Sequence, residues 1–133
     1  MPNNQSAIER PVVLVVEDEP LVRMLAVEVL KDAGYQVLEA SDGIEALQAL
    51  DRARVDLLIT DIQMPRLNGY QLVEAAMAKW PDLKSILVTG YAREDVPAAV
   101  ADAAPHTLQK PFDIDSLPGL VARILSWPAA PGP

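Results

Sequence analysis

Five residues able to do polar or charge chemistry fall at matching places in this sequence, each at or just after the end of a strand-like run. Asp61 closes Leu-Leu-Ile-Thr-Asp, a run of the kind a buried parallel strand needs, and Met64 and Pro65 force a loop soon after. Glu17 and Asp18 follow the β-branched run up to Val16, Thr89 ends Ser-Ile-Leu-Val-Thr just before Gly90, and Lys110 follows Thr107–Gln109. In a parallel sheet every strand's C-terminal end lies on one edge, where ligands bind in open α/β folds, so these residues can share one crevice. Two carboxylates about 4 Å apart repel by roughly 4 kcal/mol at an effective dielectric of 20, so three of them need a cation. Oxygen ligands without His or Cys point to a hard ion, and few carboxylates plus water suit Mg²⁺ in particular. The chain has no cysteine, and its one histidine, His106, reads as a surface or strand-edge residue. The same residues admit a plainer account. Glu17–Glu19 can be a solvated acidic turn placed favourably before a helix, and Asp61 can simply bond the turn that follows it.

The elements that must position these residues alternate. Pro11–Val16 predicts a first strand, and Pro20 opens a helix with Val22, Leu25, Val29 and Ala33 on its apolar face and Gly34 as its cap. Gln36–Ala40 makes a second strand, and Asp42 with Glu45 opens a helix through Leu47 and Leu50. After the strand at Leu57–Asp61, Asn68 caps a helix carrying Leu72, Val73, Ala76 and Trp80, which Pro81 stops. Ser85–Thr89 is the fourth strand, Arg93–Ala104 a short helix broken by Pro97, and Thr107–Gln109 the fifth strand. A last helix runs from Ile114 or Ser116 to about Leu125, with Pro118 and Gly119 blurring its start. Five strands alternating with five helices, joined by short connections, predict a doubly wound five-stranded parallel sheet with helices on both faces.

At 133 residues the chain makes one domain with a core of its own. Residues 1–10 read as a disordered lead-in, 11–126 as the domain, and 127–133 as a Pro-rich tail. Half of the residues are hydrophobic but only 5% aromatic, so Leu, Val, Ile and Ala must build the core. A net charge of -8 argues against a nucleic-acid surface, which needs clustered Lys and Arg. With no apolar leader and no membrane-length stretch, the expectation is a soluble cytoplasmic protein with neither nucleic acid nor membrane as partner.

The set of residues resembles the receiver domain of two-component response regulators, over about Val12 to Leu125. Its carriers are Val-Glu-Asp-Glu at 16–19, Asp42-Gly43 with Glu45-Ala46-Leu47, Asp61 with Met64-Pro65, Asn68-Gly69, Thr89-Gly90 and Lys110-Pro111-Phe112. The resemblance implies a flavodoxin-like fold in which Asp61 accepts a phosphoryl group from a partner's phosphohistidine. Glu17, Asp18, Asp61 and the backbone carbonyl of Gln63 would hold Mg²⁺, directly or through water. Lys110 and Thr89 would meet the phosphoryl oxygens, and the Lys110–Pro111 bond would be cis. The family's switch position in the fifth strand is usually Tyr or Phe, and here it is Thr107, so Tyr91 beside Gly90 becomes the candidate for a compensating ring.

This reading makes the chain a single-domain response regulator rather than an enzyme. Its chemistry is limited to self-phosphorylation and self-dephosphorylation. The partners implied are a sensor histidine kinase or histidine phosphotransfer protein and an unknown downstream target, met through the face spanning Arg93 to Leu125. The protein would be a monomer or a weak phosphorylation-dependent dimer. The competing readings are a phosphorylation-independent docking module of the same fold and a Mg²⁺-dependent phosphatase. A phosphatase of that kind wants a second Asp two residues after the nucleophile, and that position is Gln63.

Overall fold

The structure is a computed structural model that describes residues 10–64, 66–90 and 106–126. The helix expected over Arg93–Ala104, Tyr91, and the two terminal segments fall outside the described residues, apart from Arg10. Five strands, β1 (Val12–Val16), β2 (Gln36–Ala40), β3 (Leu57–Asp61), β4 (Lys84–Thr89) and β5 (His106–Gln109), form one sheet in the order β2-β1-β3-β4-β5. Every neighbouring pair is parallel. This is the doubly wound, flavodoxin-like arrangement that the alternating pattern predicts, and the strand order reverses between β1 and β3.

Composition explains the order. β1, β3 and β4 carry near-continuous apolar runs because both of their faces are covered, and β1 and β3 are buried at every residue. The edge strands are mixed: β2 reads Gln-Val-Leu-Glu-Ala and β5 reads His-Thr-Leu-Gln. Successive side chains then serve opposite faces. Leu14, Val16, Leu58 and Leu87 meet one pair of helices, α2 (Gly43–Arg52) and α3 (Gly69–Lys79). Val13, Val15, Ile59, Ile86 and Val88 meet α1 (Pro20–Asp32) and α4 (Leu117–Leu125).

Helix ends follow local chemistry. The Asp42 side chain accepts from the Glu45 amide at 2.8 Å, and Glu45 reaches back to the Ser41 amide at 2.7 Å. Asn68 and Gln71 cap α3 reciprocally, at 2.9 and 3.0 Å. Gly34, at φ 102, takes the left-handed position after α1, as expected. The last helix has both of its anticipated starts: a 3₁₀ turn at Ile114–Ser116 leads into α4, and Pro118 sits in the first turn where its missing N–H costs nothing.

The buried face of α1 differs in part from the expected one: Val29 and Ala33 pack against the core as expected, but the first two turns do not follow. Ala26, Val27 and Leu30 are its buried residues, while Val22 and Leu25 stand out in solvent with Leu21 and Met24. The helix is apolar on nearly every side of its first two turns, so three- and four-residue spacings fit more than one phase. Packing against the sheet, rather than periodicity, selects the face.

Candidate functional site

The C-terminal edge of the sheet brings Glu17, Asp61, Thr89 and Lys110 together, as parallel pairing requires. Asp61 ends β3 with its side chain 9% exposed. Its Oδ2 accepts from Lys110 Nζ at 2.6 Å, and its Oδ1 accepts from the Gln63 amide at 3.2 Å. The plain turn-bonding role and the ion pair are thus both present, one on each oxygen. Below them the backbone is fixed. The Thr60 hydroxyl donates to the Asp61 carbonyl at 2.9 Å, and the Gly69 amide donates to the Ile62 carbonyl at 2.9 Å. A Cβ at Gly69 would lie 2.4 Å from the Asp61 carbonyl oxygen and 2.8 Å from Ile62 Cα, so only glycine lets α3 start this close to β3.

Lys110 is placed by β4: its amide donates to the Thr89 carbonyl at 2.7 Å. The peptide bond to Pro111 is cis, as the resemblance implied. The hydrogen bond to Asp61 raises the ammonium's pKa above its ordinary value, and the nearby Glu17 and Glu19 charges add to the effect.

Glu17 is buried, its amide donating to the Ala40 carbonyl at 3.1 Å and its Oε2 accepting from the Glu19 amide at 3.1 Å. Burial pushes its carboxyl up to about 7; the Glu19 amide opposes this, while Asp18 and the Asp61 charge add to it. Asp18 itself is exposed and lines a cleft with Gln63, Met64, Asn68 and Tyr70. An adjoining cleft of about 310 Å³ is lined by Asp61, Ile62, Gln63, Thr89, Gly90 and Lys110. A water claims roughly 30 Å³, so there is room for a phosphoryl group with several waters. Thr107 is half-buried in β5 opposite Leu87, with the proposed switch partner Tyr91 outside the described residues.

The donor set fits a hydrated hard cation. Glu17 and Asp61 are buried and Asp18 stands at the rim, the Lys110 ammonium is in direct contact with Asp61, and every candidate ligand is oxygen. Among the described residues no three acidic side chains form a ready-made metal cage.

Sequence reasoning does not single out Arg23. From the first turn of α1 its guanidinium reaches back, Nη1 donating to the Glu17 carbonyl at 2.7 Å and Nε to Glu39 Oε1 at 3.1 Å. An arginine six residues after an acidic strand end is the only signal, and it says nothing of which way the side chain turns.

Fold and site together define a doubly wound α/β domain with an acidic crevice at the C-terminal edge of its sheet, and comparison makes the membership specific. The family model for the response regulator receiver domain matches residues 13–122, and the chain belongs to that family. It is 39% identical over 116 residues to sensor kinase CckA of Brucella abortus, covering 85% of this chain but only 12% of that protein. It is 33% identical to the response regulator receiver protein CpdR of the same organism, covering 85% of this chain and 95% of CpdR. The response regulator TrrA of Thermotoga maritima, solved in complex with Mg²⁺ and BeF, superposes with a TM-score of 0.77 at 35% identity, over 86% of this chain and 98% of that one. Among the described residues no helix is long and apolar enough to cross a membrane.

Proposed function

We propose that Asp61 accepts a phosphoryl group from the phosphohistidine of a sensor histidine kinase or a histidine phosphotransfer protein, in a Mg²⁺-dependent step. The observation that carries this is the buried Asp61 carboxylate at the end of the central strand, paired with Lys110 and open to a cleft that Thr89 and Gln63 also line. A carboxylate is a weak nucleophile, so positioning and charge neutralisation must supply the catalysis. Each Asp61 oxygen keeps a lone pair beyond the hydrogen bond it accepts, and one of these attacks phosphorus as the P–N bond breaks toward the imidazole. Lys110 would bring its positive charge to the phosphoryl oxygens, and the Thr89 hydroxyl would donate to one of them. Glu17, Asp18, Asp61 and the Gln63 carbonyl are the groups that would hold Mg²⁺, which when bound neutralises charge on the transferring group. TrrA, a structural neighbour, was solved with Mg²⁺ and BeF, which supports the metal assignment.

The domain then signals by protein contact or by passing the group onward. Phosphorylation biases a pre-existing equilibrium at the surface, as in other two-state switches. A hydrolase acting on free substrates is disfavoured by the amide at position 63, which cannot act as an acid. Intact-protein mass after incubation with Mg²⁺ and acetyl phosphate tests the reading, with Asp61→Asn beside it. A gain of one phosphoryl group that needs Mg²⁺ and vanishes in the variant is the expected result. No gain, together with no binding of beryllofluoride, would leave a docking module in its place.

A further inference from the structure

The strongest unassigned device near the crevice is the clamp that α1 places on the acidic strand end. The Glu17 amide is held by the Ala40 carbonyl of β2, and the Glu17 carbonyl by Arg23 Nη1 at 2.7 Å. Both polar groups of this residue's backbone are therefore engaged past the last residue of β1, where strand pairing no longer fixes the chain. The peptide plane joining Glu17 to Asp18 is set by that second bond, and with it the direction in which Asp18 leaves. Arg23 is in turn aimed by Glu39, whose Oε1 takes Nε at 3.1 Å, and its side chain is only 19% exposed. One planar guanidinium thus ties α1, β1 and β2 together at the point where two carboxylates must face one ion.

We infer that Arg23 is a positioning residue for the cation site, holding the Glu17–Asp18 peptide so that both carboxylates reach the same ion. This rests on the Mg²⁺ reading above. The guanidinium makes two opposite contributions. As a nearby positive charge it repels a divalent ion, while as a hydrogen-bonded clamp it saves the ordering of the loop when the ion arrives. The inference is that the clamp outweighs the charge.

The two contributions predict opposite signs, which makes the test decisive. Mg²⁺ binding to the unphosphorylated protein is measured by titration calorimetry for wild type, Arg23→Ala and Arg23→Lys, below the metal-free melting temperature of each. Removing a residue that orients metal ligands costs about tenfold or more in affinity, so Arg23→Ala is expected to weaken binding by that factor. Arg23→Lys keeps the charge and the stem but cannot serve Glu17 and Glu39 in one plane, so it should stay close to the alanine variant. Unchanged or tighter binding in Arg23→Ala, or full rescue by lysine, overturns the inference while leaving the Mg²⁺ reading intact. Wild type that binds no Mg²⁺ overturns both.

Discussion

Asp42 carries two jobs whose effects separate with pH. It caps α2 through the Glu45 amide and pairs with Arg66, and these hold its carboxyl below its ordinary value. A depressed carboxyl contributes stability above its unfolded pKa and loses it as pH falls through the folded one. Asp42→Asn keeps a capping oxygen and loses the charge, so it should cost about 0.5 kcal/mol near neutral pH, a partner as exposed as Arg66 adding little. The difference in Tm from wild type should close as pH drops below about 3.8, and a gap that widened instead would contradict the assignment. Tyr35 offers a second check, because its hydroxyl is buried and finds no hydrogen-bond partner among the described residues. Tyr35→Phe should leave stability unchanged or raise it by about 1 kcal/mol, measured by urea unfolding. At this scale the sequence is readable wherever the partner lies three or four residues away. Asp42 and Asn68 announce their caps, Asp61 and Thr89 announce themselves by ending apolar runs, and Lys110 by following a short strand-like stretch. The contact of Lys110 with Asp61, 49 residues apart, and the backward reach of Arg23 to Glu17 depend on how the loops fold, which no local pattern encodes.

Among the elements, α3 and α1 carry the sharpest expectations. The start of α3 is pressed against the Asp61 backbone, so Gly69→Ala forces a side chain into space that a carbonyl already fills. Overpacking of this kind costs about 1–3 kcal/mol, and because the displaced atoms belong to Asp61, acetyl phosphate labelling should slow as well as Tm fall. A fall in Tm with labelling intact would mean that α3, not β3, gives way. The first two turns of α1 leave Leu21, Met24 and Leu25 in solvent directly after the acidic strand end. A protein presenting phosphohistidine to Asp61 must cover the rim of this crevice. Leu21→Ser with Leu25→Ser should therefore slow phosphotransfer from a protein donor and leave labelling by acetyl phosphate unchanged. Equal loss with both donors would place the effect on folding rather than docking. That α1 exists was legible from Pro20, its apolar spacing and Gly34. Which side it buries was not, because Leu-Val-Arg-Met-Leu-Ala-Val satisfies several phases and only the sheet beneath selects one.

For the molecule as a whole, a cation that binds only the folded state must raise its stability. At a concentration a hundred times Kd the gain is about 2.7 kcal/mol, a rise of several degrees in Tm. Mg²⁺ should produce that rise in wild type and a smaller one in Asp61→Asn, read by thermal unfolding with and without EDTA. No shift with Mg²⁺ in wild type would count against the site. The architecture was largely written in the alternation of strands and helices, since parallel strands joined by helices put every strand end on one edge. Which strands are central is legible too, once the unbroken runs of β1, β3 and β4 are set against the mixed β2 and β5. The tight approach of Gly69 to Asp61 has one more consequence. With its carbonyl wedged under α3, the main chain of Asp61 has little room to recoil, so on the reading proposed above the side chain would have to take up the added charge and bulk by itself. The opposite wall differs: among the described residues, a Cβ at Gly90 would meet nothing within 4 Å. On the reading proposed above, a group added to Asp61 would meet a rigid floor at α3, and the displacement it causes is expected on the side where β4 ends.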